Sequence, residues 1–165
     1  MNRIKVVSDP AELVPLLRSV DTEAKRDIFK ELSTTWLTAK QIEDKYGPEG
    51  AEALAFFEKV KLVETKWQTG AAMSPEKAYH AFYASFHINA TAPVSEISDV
   101  LYVAMMQEKD YKKIEERIFK AVGDAGKFTG DMADELQVSQ TTLKAYVKRS
   151  HRLDFRGHRI MRFQD

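Results

Sequence analysis

The chain has 165 residues, 44% of them hydrophobic, and sets 25 lysines and arginines against 25 aspartates and glutamates. It has no cysteine, which excludes disulfides, thiolate metal sites and thiol redox switching. No apolar run approaches the roughly 20 residues that cross a bilayer, and MNRIKVVSDP lacks the apolar core of a secretory signal, so the composition predicts a soluble cytoplasmic protein without a membrane partner.

Asp9 and Pro10 supply the N-cap and first-turn residues of a helix with Leu13, Leu16, Leu17 and Val20 as its apolar stripe, shortened by Pro15. A second helix, TEAKRDIFKELS, turns Ala24, Ile28, Phe29 and Leu32 inward. A short third, TAKQIEDKY, stops at Gly47. A fourth follows from Pro48 with Ala51, Leu54 and Phe57 on one side. Residues 62–68 and 77–90 are rich in aromatic and β-branched side chains and predict two strands around a loop containing Gly70 and Pro75.

Residues 94–108 read as a helix with two apolar rows. Ile97, Leu101 and Met105 form one row with Val94, and Val100, Tyr102, Val103 and Met106 form the other. A helix this apolar is buried on two sides, either as a core element between domains or as a dimer seam. QEKDYKK (107–113) is a polar joint. Beyond it come a helix over 114–126, a short helix in FTGDMADELQV, a longer one in SQTTLKAYVKRSHR, and a hairpin turning at Gly157.

Helix, short helix, turn, helix and hairpin thus occur twice, over 22–90 and 114–163. The fold class that follows is mainly α with small β-hairpins (α+β), as two winged helix-turn-helix units in tandem. The expected domains are an N-terminal unit over 9–106 with flanking dimerisation helices, the joint at 107–113, and a DNA-binding unit over 114–165.

The opposing charges are unevenly spread. Residues 140–165 hold seven basic side chains and two acidic ones, so the rest of this neutral chain is correspondingly acidic. In the second unit Val138 plugs the turn, Ser139 caps the next helix, and Leu143 and Val147 hold that helix to the core. Its outer face carries Gln140, Lys144 and Lys148 on one row and Thr141, Ala145 and Arg149 on the next, with Arg152 beyond and no acid from Ser139 to Leu153. Ser139, Gln140, Thr141 and Thr142 suit base edges or phosphates, and the lysines and arginines suit phosphates. Arg156, His158, Arg159 and Arg162 decorate the hairpin, where a wing meets the DNA backbone.

The corresponding helix of the first unit, 48–60, has the wrong chemistry for that task. Glu49, Glu52 and Glu58 stand against Lys59 alone, which repels phosphates. Scaffolding, dimerisation or partner binding suits this unit better, with Leu13, Leu16, Leu17, Ile97, Leu101 and Met105 as the expected dimer interface.

No constellation for catalysis, a cofactor or a metal is legible. His80 and His87 are seven apart on one predicted strand and face opposite ways. Tyr79, Phe82, Tyr83 and Phe86 read as core. No phosphate-cradling glycine loop, zinc-protease motif or nucleophile elbow is present.

The segments DTEAKRDIFKELSTTWLTAKQIEDKYG and FFEKVKLVETKW are similar to the first domain of archaeal ArsR-like winged helix-turn-helix regulators. EKAYHAFYASFHINATAPVSEISDVLYVAMM resembles the strand-then-helix segment of euryarchaeal members, and GKFTGDMADELQVSQTTLKAYVKRSHRLDFRGHRI resembles their second helix-turn-helix. The resemblance covers about residues 9–163. It implies a dimeric DNA-binding transcription factor, with euryarchaeal archaellum regulators among the types it embraces. The first-unit recognition positions map to 48–60, which departs from the polar, basic pattern. The cysteine pairs and His/Asp/Glu sets of metal-sensing relatives are not matched, and no effector is indicated.

Two functional expectations result. One is a regulator, not an enzyme, that reads double-stranded DNA as a homodimer through 139–152 and the 153–163 hairpin. The other is a winged-helix protein-interaction module of the transcription or translation machinery with a basic RNA- or protein-binding C-terminus. They differ on one point: DNA reading through both rows requires Lys144, Lys148 and Arg149 to be exposed together, whereas protein docking leaves that face partly covered.

Overall fold

The computed structural model describes residues 2–163, so the last two residues of the expected 114–165 unit lie outside it. The architecture mixes helices and small sheets, of which the two three-stranded ones are antiparallel, in two compact units that do not follow chain order. The first comprises residues 1–6 and 19–88; the second comprises residues 7–18 and 89–165.

In the first unit, α2 (Glu23–Leu32) starts at Thr22, whose side chain accepts from the Lys25 amide. α3 (Ala39–Tyr46) opens with a reciprocal capping box between Thr38 and Gln41, at 3.1 and 2.8 Å. α4 (Pro48–Lys59) crosses α3 closely because Gly50 has no side chain; a Cβ there would lie 2.9 Å from Ile42. β2 (Leu37–Thr38), β3 (Val63–Thr69) and β4 (Pro75–Ala81) form a sheet in the order β2-β4-β3, with Val63 opposite Ala81 and Thr69 opposite Pro75. Ile28, Leu32, Ile42, Leu54, Phe57 and Tyr79 fill the core. The solvent side of α4 carries Glu49, Glu52 and Glu58, the last paired with Lys77 at 2.5 Å.

The strand expected over 77–90 is two strands. β4 ends at Ala81, and β5 (Ser85–Ile88) pairs instead with β1 (Ile4–Val7), a strand that the sequence reading did not include. The chain changes sheets at residues 82–84. There the Phe82 amide donates to Leu62 O at 3.0 Å and the Ala84 amide to Arg3 O at 2.8 Å. Backbone pairing with a distant segment breaks the strand here; the local composition gives no sign of it.

The second unit gathers a short 3₁₀ turn (Pro10–Glu12), α1 (Leu13–Arg18), α5 (Val94–Met105), α6 (Glu108–Val122), α7 (Thr129–Leu136) and α8 (Gln140–Arg149). Its sheet, β6 (Lys127–Phe128), β7 (Leu153–Arg156) and β8 (Arg159–Arg162), has the order β6-β8-β7. The element order α6-β6-α7-α8-β7-β8 matches α2-β2-α3-α4-β3-β4 of the first unit, so the repeat seen in the sequence is present at the level of elements.

The joint expected at 107–113 is helical. Gln107 caps α6, whose first turn carries Glu108 and Asp110, the charge preferred at a helix N-terminus. Buried Tyr111 donates its hydroxyl to Tyr146 O at 2.6 Å, so the polar-looking segment is the start of an amphipathic helix. The division between units falls at Ile88/Asn89, and α1 and α5 pack with the C-terminal helices rather than within a 9–106 domain.

The turn between α7 and α8 follows the expected chemistry. Val138 packs on the core, and Ser139 Oγ accepts from the Thr142 amide at 3.1 Å. Gln137 ends α7 in the left-handed conformation with φ 56°, and the Val138 amide donates to Ala133 O. Gln137→Gly removes the steric cost of that conformation and is expected to stabilise the protein by about 0.5 kcal/mol, after the added unfolded-state entropy of glycine. Urea unfolding measures it. A loss of stability instead would mean that the Gln137 side chain makes a compensating contact.

Candidate nucleic-acid interface

α8 is held on two sides. One side is the core shared with α6, α7 and β8, where Leu143 and Val147 meet Ile118, Met132 and Ile160. The other is a second cluster in which Ala145 packs with Val14 of α1 and Val100, Val103 and Ala104 of α5. This second contact settles which apolar row of α5 is the core row: Val100 and Val103 point in. Val94, 84% exposed, and Met105, 80% exposed, point out with Leu101 and Tyr102.

The two expected rows of α8 therefore part company. In the row Thr141, Ala145, Arg149 the last two turn into the packing while Thr141 is half-buried, and Arg149 is 3% exposed. Its guanidinium donates to Val103 O and Met106 O, both at 2.8 Å, and pairs with Glu108 at 3.1 Å, over the Tyr111 ring. It satisfies carbonyls left without partners at the C-terminus of α5. Burial, together with nearby Arg18, holds its pKa below the ordinary arginine value. The expectation that Arg149 faces solvent beside Lys144 and Lys148 is thus corrected. A long side chain with a planar fork reads as basic surface in a sequence, yet here the fork fits the end of another helix.

The other row stays outward. Gln140 is exposed, and Lys144 and Lys148 are half-buried. Lys144 approaches Asp9 at 3.5 Å, and Lys148 sits over the Phe155 ring at 5.9 Å. Ser139 is exposed, but its hydroxyl is turned to Thr142, which is buried.

The remaining basic residues divide in the same way. Arg152 pairs with Glu116 at 2.9 Å and stacks 3.9 Å from the Phe119 ring centre. Arg162 donates to Phe119 O and pairs with Asp124 at 3.0 Å. Arg159 donates to Gly126 O at 3.1 Å and lies over Phe128. These three bind the hairpin to its own unit, while Arg156 and His158 are exposed at the tip around Gly157. The structure thus brings Gln140, Lys144 and Lys148 together as one stripe and leaves Arg156 and His158 at the hairpin tip.

Of the residues expected at a dimer interface, Leu17, Leu101 and Met105 are exposed, and Leu13, Leu16 and Ile97 are half-buried. The inward residues of the N-terminal segment are Ala11 and Val14. His80 and His87 lie on different strands, β4 and β5. His80 Nδ1 is 2.8 Å from Ala81 O, and its ring stacks on Trp36. Among the described residues no three His, Asp or Glu side chains gather as a metal-holding group, and no helix is long and apolar enough to cross a membrane.

One basic feature escaped the sequence reading. Lys109, Lys112, Lys113, Arg117 and Lys120 share the solvent face of α6. Their helical spacing is present in the sequence but spans the boundary between the expected polar joint at 107–113 and the helix after it.

No curated protein matches the chain. A family model described as ArsR transcriptional regulator matches residues 7–164. That span takes in α1, α5 and both helix–helix–hairpin arrangements, and the chain accordingly belongs to the ArsR family of transcriptional regulators.

Proposed function

We propose that the protein is a cytoplasmic DNA-binding regulator, built as two winged helix-turn-helix units in tandem, that reads a promoter or operator through its second unit. The contacts to bases and phosphates come from the Gln140–Lys144–Lys148 row and from Arg156 and His158 at the wing tip. The observation that carries this reading is that row, three residues spaced four apart on the last helix of a helix-turn-helix order, with Gln140 exposed and Lys144 and Lys148 half-buried. The first unit serves as scaffold, because the solvent side of α4 is acidic. The protein acts by binding and needs no cofactor.

The outward row of α5, Val94, Leu101 and Met105, with Leu17 of α1, supports a homodimer, and a symmetric dimer presents two reading units to a pseudo-palindromic site. Resemblance in sequence places the chain with two-unit archaeal regulators, the archaellum type among them.

The test is fluorescence anisotropy with genomic upstream fragments and scrambled duplexes at several salt concentrations. One fragment is expected to bind far more tightly than scrambled DNA. Lys144→Glu/Lys148→Glu is expected to weaken that complex by about 100-fold or more. Gln140→Ala is expected to reduce discrimination between fragments by roughly tenfold, the scale of one good base contact. Reading by α8 is refuted if both variants behave as wild type. Equally weak binding to every duplex favours the alternative, a protein-interaction module with a basic RNA- or protein-binding C-terminus. The packing of Ala145 and Arg149 in the neighbouring row is the observation on that side.

A further inference from the structure

The solvent face of α6 carries charge that the reading above does not use. Lys109, Lys112, Lys113, Arg117 and Lys120 fall within one side of the helix, opposite buried Tyr111, Glu115, Ile118 and Val122. Glu116 lies among them, and exposed Asp110 borders the face beside Arg117. Glu116 is engaged by Arg152 at 2.9 Å and lies 3.9 Å from Lys120, and the Arg152 hydrogen bond holds its carboxyl below the usual carboxylate range. Lys109, Lys112 and Lys113 have no acidic partner within 4 Å among the described residues. Lys112, Lys113, Arg117, Lys120 and Arg152, together with Glu115 and Glu116, line a shallow recess of about 830 Å³, which joins this face to the base of the hairpin.

We infer that this face of α6 is a second phosphate-contacting surface, which holds the backbone of duplex DNA outside the segment read by α8. The inference rests on the DNA-binding reading above. From Lys109 to Lys120 the helix rises about 16 Å, more than the roughly 12 Å width of the major groove, so the row meets several phosphates at once. The face has no aromatic, methionine or aliphatic residue among its cations. A protein interface core needs such an anchor and is depleted in lysine, and a membrane-surface helix needs an apolar side to insert. The apolar side of α6 is already buried in its own core. A lysine row without an anchor suits a polyanion whose charges are evenly spaced.

The experiment is a salt titration of the full chain on its tightest duplex and on a scrambled duplex. It compares wild type, Lys112→Gln/Lys113→Gln, and a control that removes two exposed cations from α2, Arg26→Gln/Lys30→Gln. Circular dichroism checks that each variant is folded. The α6 variant is expected to reduce the slope of log K against log salt by about 2, at roughly 0.9 per lost phosphate contact. It weakens both duplexes by the same factor, so discrimination is unchanged, and the control keeps the wild-type slope. If wild type binds DNA and the α6 variant retains its slope, this surface is not a phosphate contact, while reading by α8 stands. Equal slope losses in the α6 variant and the control would show a diffuse charge effect and also overturn it. If wild type binds no duplex, both proposals fall together.

Discussion

Arg149→Ala is expected to lower stability by about 3–5 kcal/mol, the cost of removing one partner from a buried charged pair. The guanidinium is the donor for Val103 O and Met106 O and the partner of Glu108. Alanine leaves both carbonyls without that donor in a place water reaches poorly, and opens a void beside Tyr111. For a chain of this size each kcal/mol shifts the melting temperature by roughly 2–4 °C, so a fall of about 10 °C is expected in thermal unfolding. Arg149→Lys keeps the charge but lacks the fork that serves two carbonyls, and falls between the two. A change below about 1 kcal/mol for alanine would mean that α8 is not clamped to the end of α5. A charge reversal at Arg149 consequently reports on folding rather than on DNA contact, whereas reversals at Lys144 and Lys148 act on the outward row.

The second large effect is expected one residue later. Ser150 is fully buried where α8 hands over to the hairpin. Its hydroxyl donates to Glu115 at 2.7 Å and accepts from the Arg152 and Leu153 amides at 2.9 and 3.1 Å. Ser150→Ala removes three hydrogen bonds at once and leaves the buried Glu115 carboxylate with only Arg152, at 3.7 Å. The expected loss is about 2–4 kcal/mol, since unsatisfied buried groups cost more than the bonds contribute on average. Urea unfolding gives the magnitude. Faster hydrogen exchange at the Arg152 and Leu153 amides gives the location. Unchanged exchange there would show that the hydroxyl does not hold the start of β7.

Neither residue announced this role in the sequence. Arg149 lay in a basic run and Ser150 in a helix expected to continue to Arg152. Both roles depend on groups about 35 to 46 positions away, which no local pattern specifies.

Local signals did specify a good deal of the protein. The cap at Ser139, the stop at Gly47 and the turn at Gly157 depend on neighbours within a few residues, and each falls where its chemistry predicts. The inward residues Ile28 and Leu32 of α2 and Leu143 and Val147 of α8, and the duplicated order of elements, were legible for the same reason. So was the acidity of α4, because Glu49, Glu52 and Glu58 against Lys59 are a count that needs no fold.

Tertiary structure alone decided the rest. It paired β1 with β5, since a strand needs a backbone partner that composition does not name. It chose between the two apolar rows of α5, which periodicity treats alike, by setting Val100 and Val103 against Ala145. Through that contact it also divided the basic face of α8, burying Arg149 while leaving Lys144 and Lys148 half-buried on the outward row. Charge and helical phase are properties of a segment and can be read from its residues. Which phase is covered depends on the elements packed against it, and for α8 those elements are α1, near the other end of the chain, and α5, some 46 positions back.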